Sequence, residues 1–137
     1  MQVSLIIPTY NREELLIATL ECTLRQDCTA YEIILVDQTA QHTPDTDKFL
    51  NDHTERIRLI CQSPPSLTEA RNEGIRQAKG DVIVFIDDDT SFSLVIMRGI
   101  VLKGAGLSIL WSYVWPLRIF TPATVASGVV EFTKTIA

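Results

Sequence analysis

The chain has 137 residues, 46% of them hydrophobic and 21% charged, enough to bury one ordinary core and far from a disordered composition. Its formal net charge of −5 argues against nucleic acid as a partner, because a diffusely acidic surface repels a phosphate backbone and no basic stripe interrupts it. Cys22, Cys28 and Cys61 form an odd set without metal-ligand spacing and read as reduced thiols of a cytoplasmic protein.

The opening MQVSLIIPTYNR has no basic leader and its apolar run stops at Pro8, so it reads as a first strand over residues 3–7 rather than a secretory signal. A helix follows. Asn11 is placed to cap it, Glu14 to close a capping box, and Leu16, Ile17, Leu20 and Leu24 recur on one face. Residues 32–36 (EIILV) are a second strand run ending at Asp37, and the polar QTAQHT leads to Pro44, suited to the first position of a short helix through Leu50. Residues 56–61 (RIRLIC) are a third strand. After SPP a second capping box, Ser66 to Glu69, opens a helix with Leu67, Ala70, Gly74, Ile75 and Ala78 on its apolar face and an end at Gly80. Residues 82–86 (VIVFI) are the fourth and most apolar strand.

Continuous apolar strands alternating with helices predict an α/β fold, a Rossmann-like parallel sheet with helices on both faces. Ligands of such sheets bind beyond the carboxyl ends of the strands. Those ends carry PTYNR, DQT and DDDT, two of them acidic and neither close in sequence to a pairing base. Two carboxylates about 4 Å apart repel by about 4 kcal/mol at an intermediate dielectric, which predicts a counter-ion. Carboxylates without His or Cys suit a hard cation, Mg²⁺ or Mn²⁺. Asp87 and Asp89, two apart in extended chain, point the same way and are the expected metal ligands, with Asp88 directed elsewhere. His42 and His53 have no carboxylate in register and read as surface residues.

The charge is unevenly divided. Residues 1–90 hold 16 acids against 8 bases, whereas residues 91–137 hold one acid, Glu131, against 4 bases. A boundary just after the aspartates therefore separates residues 1–90 from an apolar tail, residues 91–137, expected to be irregular or helical.

In this order and spacing, VSLIIPTYNREELL, EIILVDQT and LTEARNEGIRQAKGDVIVFIDDD resemble the nucleotide-sugar-binding half of family 2 glycosyltransferases, which have the GT-A fold. The resemblance covers residues 3–89. It implies inverting transfer of a sugar from a nucleotide diphosphate sugar, typically UDP-linked, to a glycan, lipid or small-molecule acceptor. It further implies that Pro8, Thr9, Tyr10 and Asn11 pack on the base, that Asp37 accepts a base N–H, and that Arg71 and Asn72 lie near the diphosphate. Asp87 would contact the ribose and, with Asp89, the metal. The chain departs from the family pattern at Gln38, where many members carry a second acid. Two rival α/β classes fit less well. A receiver domain wants paired acids where Pro8, Thr9 and Tyr10 stand, and a sugar nucleotidyltransferase wants a glycine-rich loop where PTYNRE has none.

The tail matches nothing in the acceptor-binding half of the family, so the general base is unassigned and Glu131 is not nominated. Its longest uncharged run, residues 104–117, is too short to span a bilayer. Peripheral association at the inner face of the membrane is the remaining membrane expectation. A frameshifted or truncated gene would also leave such a tail, and the chain would then be a catalytically incomplete nucleotide-sugar-binding fragment.

Overall fold

The computed structural model describes residues 2–26, 32–88 and 118–120. Four parallel strands, β1 (Val3–Thr9), β2 (Glu32–Asp37), β3 (Ile57–Cys61) and β4 (Val82–Phe85), and an antiparallel β5 (Arg118–Phe120) form one sheet in the order β3-β2-β1-β4-β5. Three helices connect the parallel strands: α1 (Glu14–Leu24), α2 (Pro44–Asp52) and α3 (Leu67–Gln77). Where the tail was expected to be irregular or helical, Arg118, Ile119 and Phe120 pair with Phe85, Val84 and Ile83. β4 thereby gains a ladder partner on its outer edge.

The strand period of two explains the layers. Val3, Leu5 and Ile7 of β1, with Ile33 and Leu35 of β2 and Val82 and Val84 of β4, face one side and pack with Leu16, Leu20 and Leu50 of α1 and α2. Ile6, Ile34, Val36, Ile83 and Phe85 face the other side and pack with Ala70 of α3. Each of these strands is therefore apolar on both faces, at about 1.5–3 kcal/mol for each large side chain buried. β3 lies at the sheet edge, where Arg58 and Leu59 are exposed. The chain adds β2 and β3 outward from β1, then returns across β1 to lay down β4. A right-handed crossover in the reversed direction carries its helix to the opposite face, which is where α3 lies.

Several boundaries shift for local reasons. β1 runs on through Pro8, which pairs in register with Val36, and reaches Thr9 opposite Asp37. The Asn11–Glu14 capping box does not form. Asn11 sits in the left-handed region at φ 52°, and Glu13 takes the cap position without a side-chain capping bond because its carboxylate is drawn to the loop after β2. The Ser66 box is half made: Ser66 Oγ accepts from the Glu69 backbone N–H at 3.3 Å, while Ser66 N–H donates to Gln38 instead of Glu69. Leu67, placed on the apolar face of α3 by its spacing, is exposed in the first turn, and the helix ends at Gln77, short of Gly80. At Gly74 α3 lies close against the sheet, since a Cβ there would run into Ile6 Cγ2. Among the described residues no helix is long and apolar enough to cross a membrane.

Candidate functional site at the carboxyl edge of the sheet

The strand order reverses between β1 and β4, so the crevice at their carboxyl ends is the place to look for a ligand. Thr9, buried at the end of β1, is its hub. Its hydroxyl donates to Asp88 Oδ2 at 2.8 Å, and its carbonyl accepts from the Gln38 backbone N–H at 3.0 Å and from the Gln38 amide at 3.4 Å. Thr19 of α1 donates to the Asp88 carbonyl at 3.1 Å. The ends of β1, β2 and β4 are thus tied together before any ligand arrives.

Gln38 accounts for the departure from the family pattern. Its side chain accepts from Ser66 N–H and donates to Thr9, so one buried amide joins the starts of two loops to the N-terminus of α3. A carboxylate could accept from Ser66 but not donate to Thr9.

The end of β2 is closed by a network that sequence spacing did not reveal. Asp37 is buried at 4% exposure; its Oδ1 accepts from Thr39 N–H at 2.9 Å and its Oδ2 is bonded to His42 Nε2. His42 Nδ1 lies 3.0 Å from Glu13 Oε1 at the start of α1, and Glu13 Oε2 accepts from the backbone and hydroxyl of Thr43, both at 3.3 Å. Thr43 in turn caps α2. Burial works against the imidazolium, but the hydrogen bonds and charges of Asp37 and Glu13 outweigh it and raise His42 above its ordinary 6.5. Burial likewise pushes the Glu13 carboxyl up, yet bonds from Thr46, His42 and Thr43 and the His42 charge bring it below its ordinary 4.5.

His42 is therefore not the surface residue its spacing suggested, having a side chain only 7% exposed. Its carboxylates come from 5 and 29 positions upstream, on two different elements, which no local register can show. A buried acid at a strand end with a histidine as the one basic side chain in the following loop was the available signal. His53 does remain outside the site, with Nδ1 2.8 Å from the Phe49 carbonyl at the end of α2.

At the end of β4 the arrangement is more open. Asp87 has a side chain 41% exposed and pairs with Arg71 Nη2 at 3.3 Å, while the Arg71 guanidinium lies 5.9 Å from the centre of the Phe85 ring. The Arg71 side chain is itself mostly buried, 13% exposed. Both acidic ends thus have a base nearby, contrary to the sequence pattern, because folding brings Arg71 and His42 to them. Charge repulsion at Asp37 consequently calls for no metal.

The other expected residues fall as follows. Tyr10 is half-exposed beside this edge, and Asn11 is exposed with its N–H donating to Thr39 Oγ1 at 2.9 Å. Pro8 is buried in β1, Asn72 is half-buried on α3, and Asp89 lies outside the described residues. Asp88 is directed to Thr9, away from the pairing that Asp87 makes. Among the described residues no cluster of three or more His, Cys, Asp or Glu side chains is built to hold a metal ion.

Residues 4–94 match the model of the family described as glycosyl transferase family 2. The chain belongs to that family. Among its relatives, the uncharacterized glycosyltransferase EpsJ of Bacillus subtilis is 40% identical over 100 residues, which are 70% of this chain and 28% of EpsJ. The chain thus spans less than a third of that relative. The structure resembles Staphylococcus aureus TarS 1–349 in complex with UDP (TM-score 0.62, 22% identity, covering 74% of this chain and 31% of TarS). It also resembles the mannosyltransferase PcManGT of Pyrobaculum calidifontis in complex with GDP-Man and Mn²⁺ (TM-score 0.60, 24% identity, covering 73% and 31%). The described sheet and helices of this family 2 chain form an α/β fold similar to that of GT-A glycosyltransferase structures.

Proposed function

We propose that the chain binds a nucleotide diphosphate sugar, UDP-linked, as the donor of an inverting glycosyl transfer to a glycan, lipid or small-molecule acceptor. The observation that carries this reading is the convergence of Thr9, Asp37, Arg71 and Asp87 at the strand-order reversal of a family 2 chain. Tyr10 offers an aromatic face for a base, with Pro8 and Asn11 shaping its loop, and Asp37 offers a fixed acceptor for a base N–H. Arg71 of α3 pairs with Asp87, where a diphosphate would need positive charge, and Asn72 follows it on the same helix. The UDP of TarS and the GDP-Man of PcManGT support a nucleotide-linked donor.

A divalent cation fits the chemistry here. Asp87 gives an exposed carboxylate at a strand end, the next acid but one is Asp89, and oxygen donors of this kind suit Mg²⁺ or Mn²⁺. Bound by Asp87 and Asp89, the ion would offset the charge that develops on the departing nucleoside diphosphate. Arg71 would act beside it on the same charge. None of the described residues is proposed as the general base.

Isothermal titration of the full chain with UDP tests the reading. UDP is expected to bind more tightly with Mn²⁺ than with a chelator, and Asp89→Ala is expected to abolish that difference; equal affinity in all three conditions refutes the donor site. A thermal-shift series with UDP-, GDP- and dTDP-sugars then ranks the bases, UDP-sugars being expected first.

A further inference from the structure

We propose that His42 is a positioning residue of the donor site, a doubly protonated imidazole that holds the Asp37 carboxylate in place, so that donor binding weakens as pH rises. The proposal rests on the donor reading above and adds a proton to it. Its basis is geometric. Both ring nitrogens face carboxylate oxygens, Nδ1 toward Glu13 at 3.0 Å and Nε2 toward Asp37. Ionised carboxylates only accept hydrogen bonds, so both nitrogens must donate, and an imidazole with two N–H groups is an imidazolium.

What the imidazolium holds extends to the base-binding loop. Asp37 Oδ1 fixes Thr39 N–H, and Thr39 Oγ1 fixes Asn11 N–H, next to the half-exposed Tyr10. Glu13 anchors the other side of the ring to the start of α1 and, through Thr43, to the start of α2. Loss of one proton turns a ring lone pair toward one of the two carboxylates, and that contact becomes repulsive. The chain from Glu13 through His42, Asp37 and Thr39 to Asn11 is then broken, and the donor must pay the entropy of ordering the loop itself.

The charged groups facing the ring are Asp37 from β2 and Glu13 from the start of α1. From α2 come the hydroxyls of Thr43 and Thr46, with Asp45 and Asp47 exposed in its first turn and of the same sign as the two partners. No cation faces the ring among the described contacts, so the surroundings favour the charged form, consistent with the raised pKa of His42.

The test is UDP binding with Mn²⁺, measured on the full chain from about pH 6 to about pH 9, for wild type, His42→Gln and Glu13→Gln. His42→Gln is expected to bind about tenfold more weakly at the acid end, by loss of a charge-assisted bond, and the ratio to wild type is expected to fall toward one at the alkaline end. Taking the ratio cancels titration of UDP itself. Glu13→Gln is expected to move the decline of the wild type to lower pH. Nitrogen NMR of the wild-type ring is expected to find both nitrogens protonated at neutral pH. A merely structural histidine would give the same ratio at every pH, and that result, or a neutral ring at neutral pH, overturns the proposal while leaving the donor site standing. No UDP binding at any pH overturns both. Should His42→Gln fail to fold, Glu13→Gln and the wild-type ring titration decide alone.

Discussion

The two acidic strand ends of the sheet solve the same electrostatic problem in opposite ways. At the end of β2 the protein itself satisfies Asp37, burying it and spending both carboxylate oxygens on Thr39 and His42. At the end of β4 it leaves Asp87 two-fifths exposed and held on one side by Arg71. The first end is fixed by folding, with a lone pair left on each Asp37 oxygen, and the second is left open to a charged ligand. On the proposed donor reading, a site for a flat base and a charged diphosphate gains from this division. Rigid acceptors discriminate, whereas an exposed carboxylate can exchange partners.

The comparison breaks most visibly in a pair of alanine variants. Asp37→Ala removes one partner of a buried ion pair, with an expected loss of about 3 kcal/mol in unfolding free energy. Asp87→Ala removes a carboxylate in contact with solvent and is expected to cost about 1 kcal/mol or less, while eliminating the Mn²⁺-dependent part of UDP binding. Urea denaturation and UDP titration of both variants measure the two effects. Equal stability losses would mean that the two ends are not built differently after all.

Much of this division was legible in the sequence, and the unread part has a common cause. The apolar runs at residues 32–36 and 82–86 predicted buried parallel strands, and Pro44 and Ser66 marked helix starts, because strand period and capping are local properties. Asp37, Arg71 and Asp87 could be picked out as strand-end or motif residues for the same reason. Their partners could not. His42 joins Glu13 across 29 positions, Thr9 joins Asp88 across 79, and Arg71 meets Asp87 across 16, so each pairing depends on the order in which strands are laid down. Glu13 shows the cost of reading locally. A capping box that fits the spacing at Asn11 loses to a long-range carboxylate network, and the backbone at Asn11 turns left-handed instead.

Two further substitutions sharpen the contrast by loosening one end without touching its acid. Gly74→Ala would set a methyl against Ile6, whose branched side chain is fully buried and has little room to turn. α3 would have to lift from β1, carrying Arg71 with it. The expected cost is about 2 kcal/mol, with UDP affinity falling alongside stability; unchanged melting would show that the helix can slide at no cost. Gln38→Glu keeps the acceptor for Ser66 N–H but places a carboxylate oxygen against the Thr9 carbonyl. That change is expected to cost about 1–2 kcal/mol and to be read most directly as faster amide exchange at Ser66.

The smallest effect discriminates best, because its sign depends on pH. Glu13 titrates below its ordinary value in the folded chain, so its contribution to stability is full above about 4.5 and disappears as pH falls through the lowered folded value. His42 titrates above its ordinary value, so its contribution is full below about 6.5 and disappears as pH rises through the raised folded value. The difference in melting temperature between wild type and His42→Gln is therefore expected to be greatest from about pH 4.5 to about pH 6.5 and to shrink on either side. At its greatest it should reach about 1 kcal/mol, or about 3.5 °C for a domain of this size. Melts of both proteins at stepped pH give the curve. A difference that stays constant through neutral pH would mean that the ring carries no second proton; the end of β2 would then be held by packing rather than charge, and the contrast between the two strand ends would reduce to one of burial.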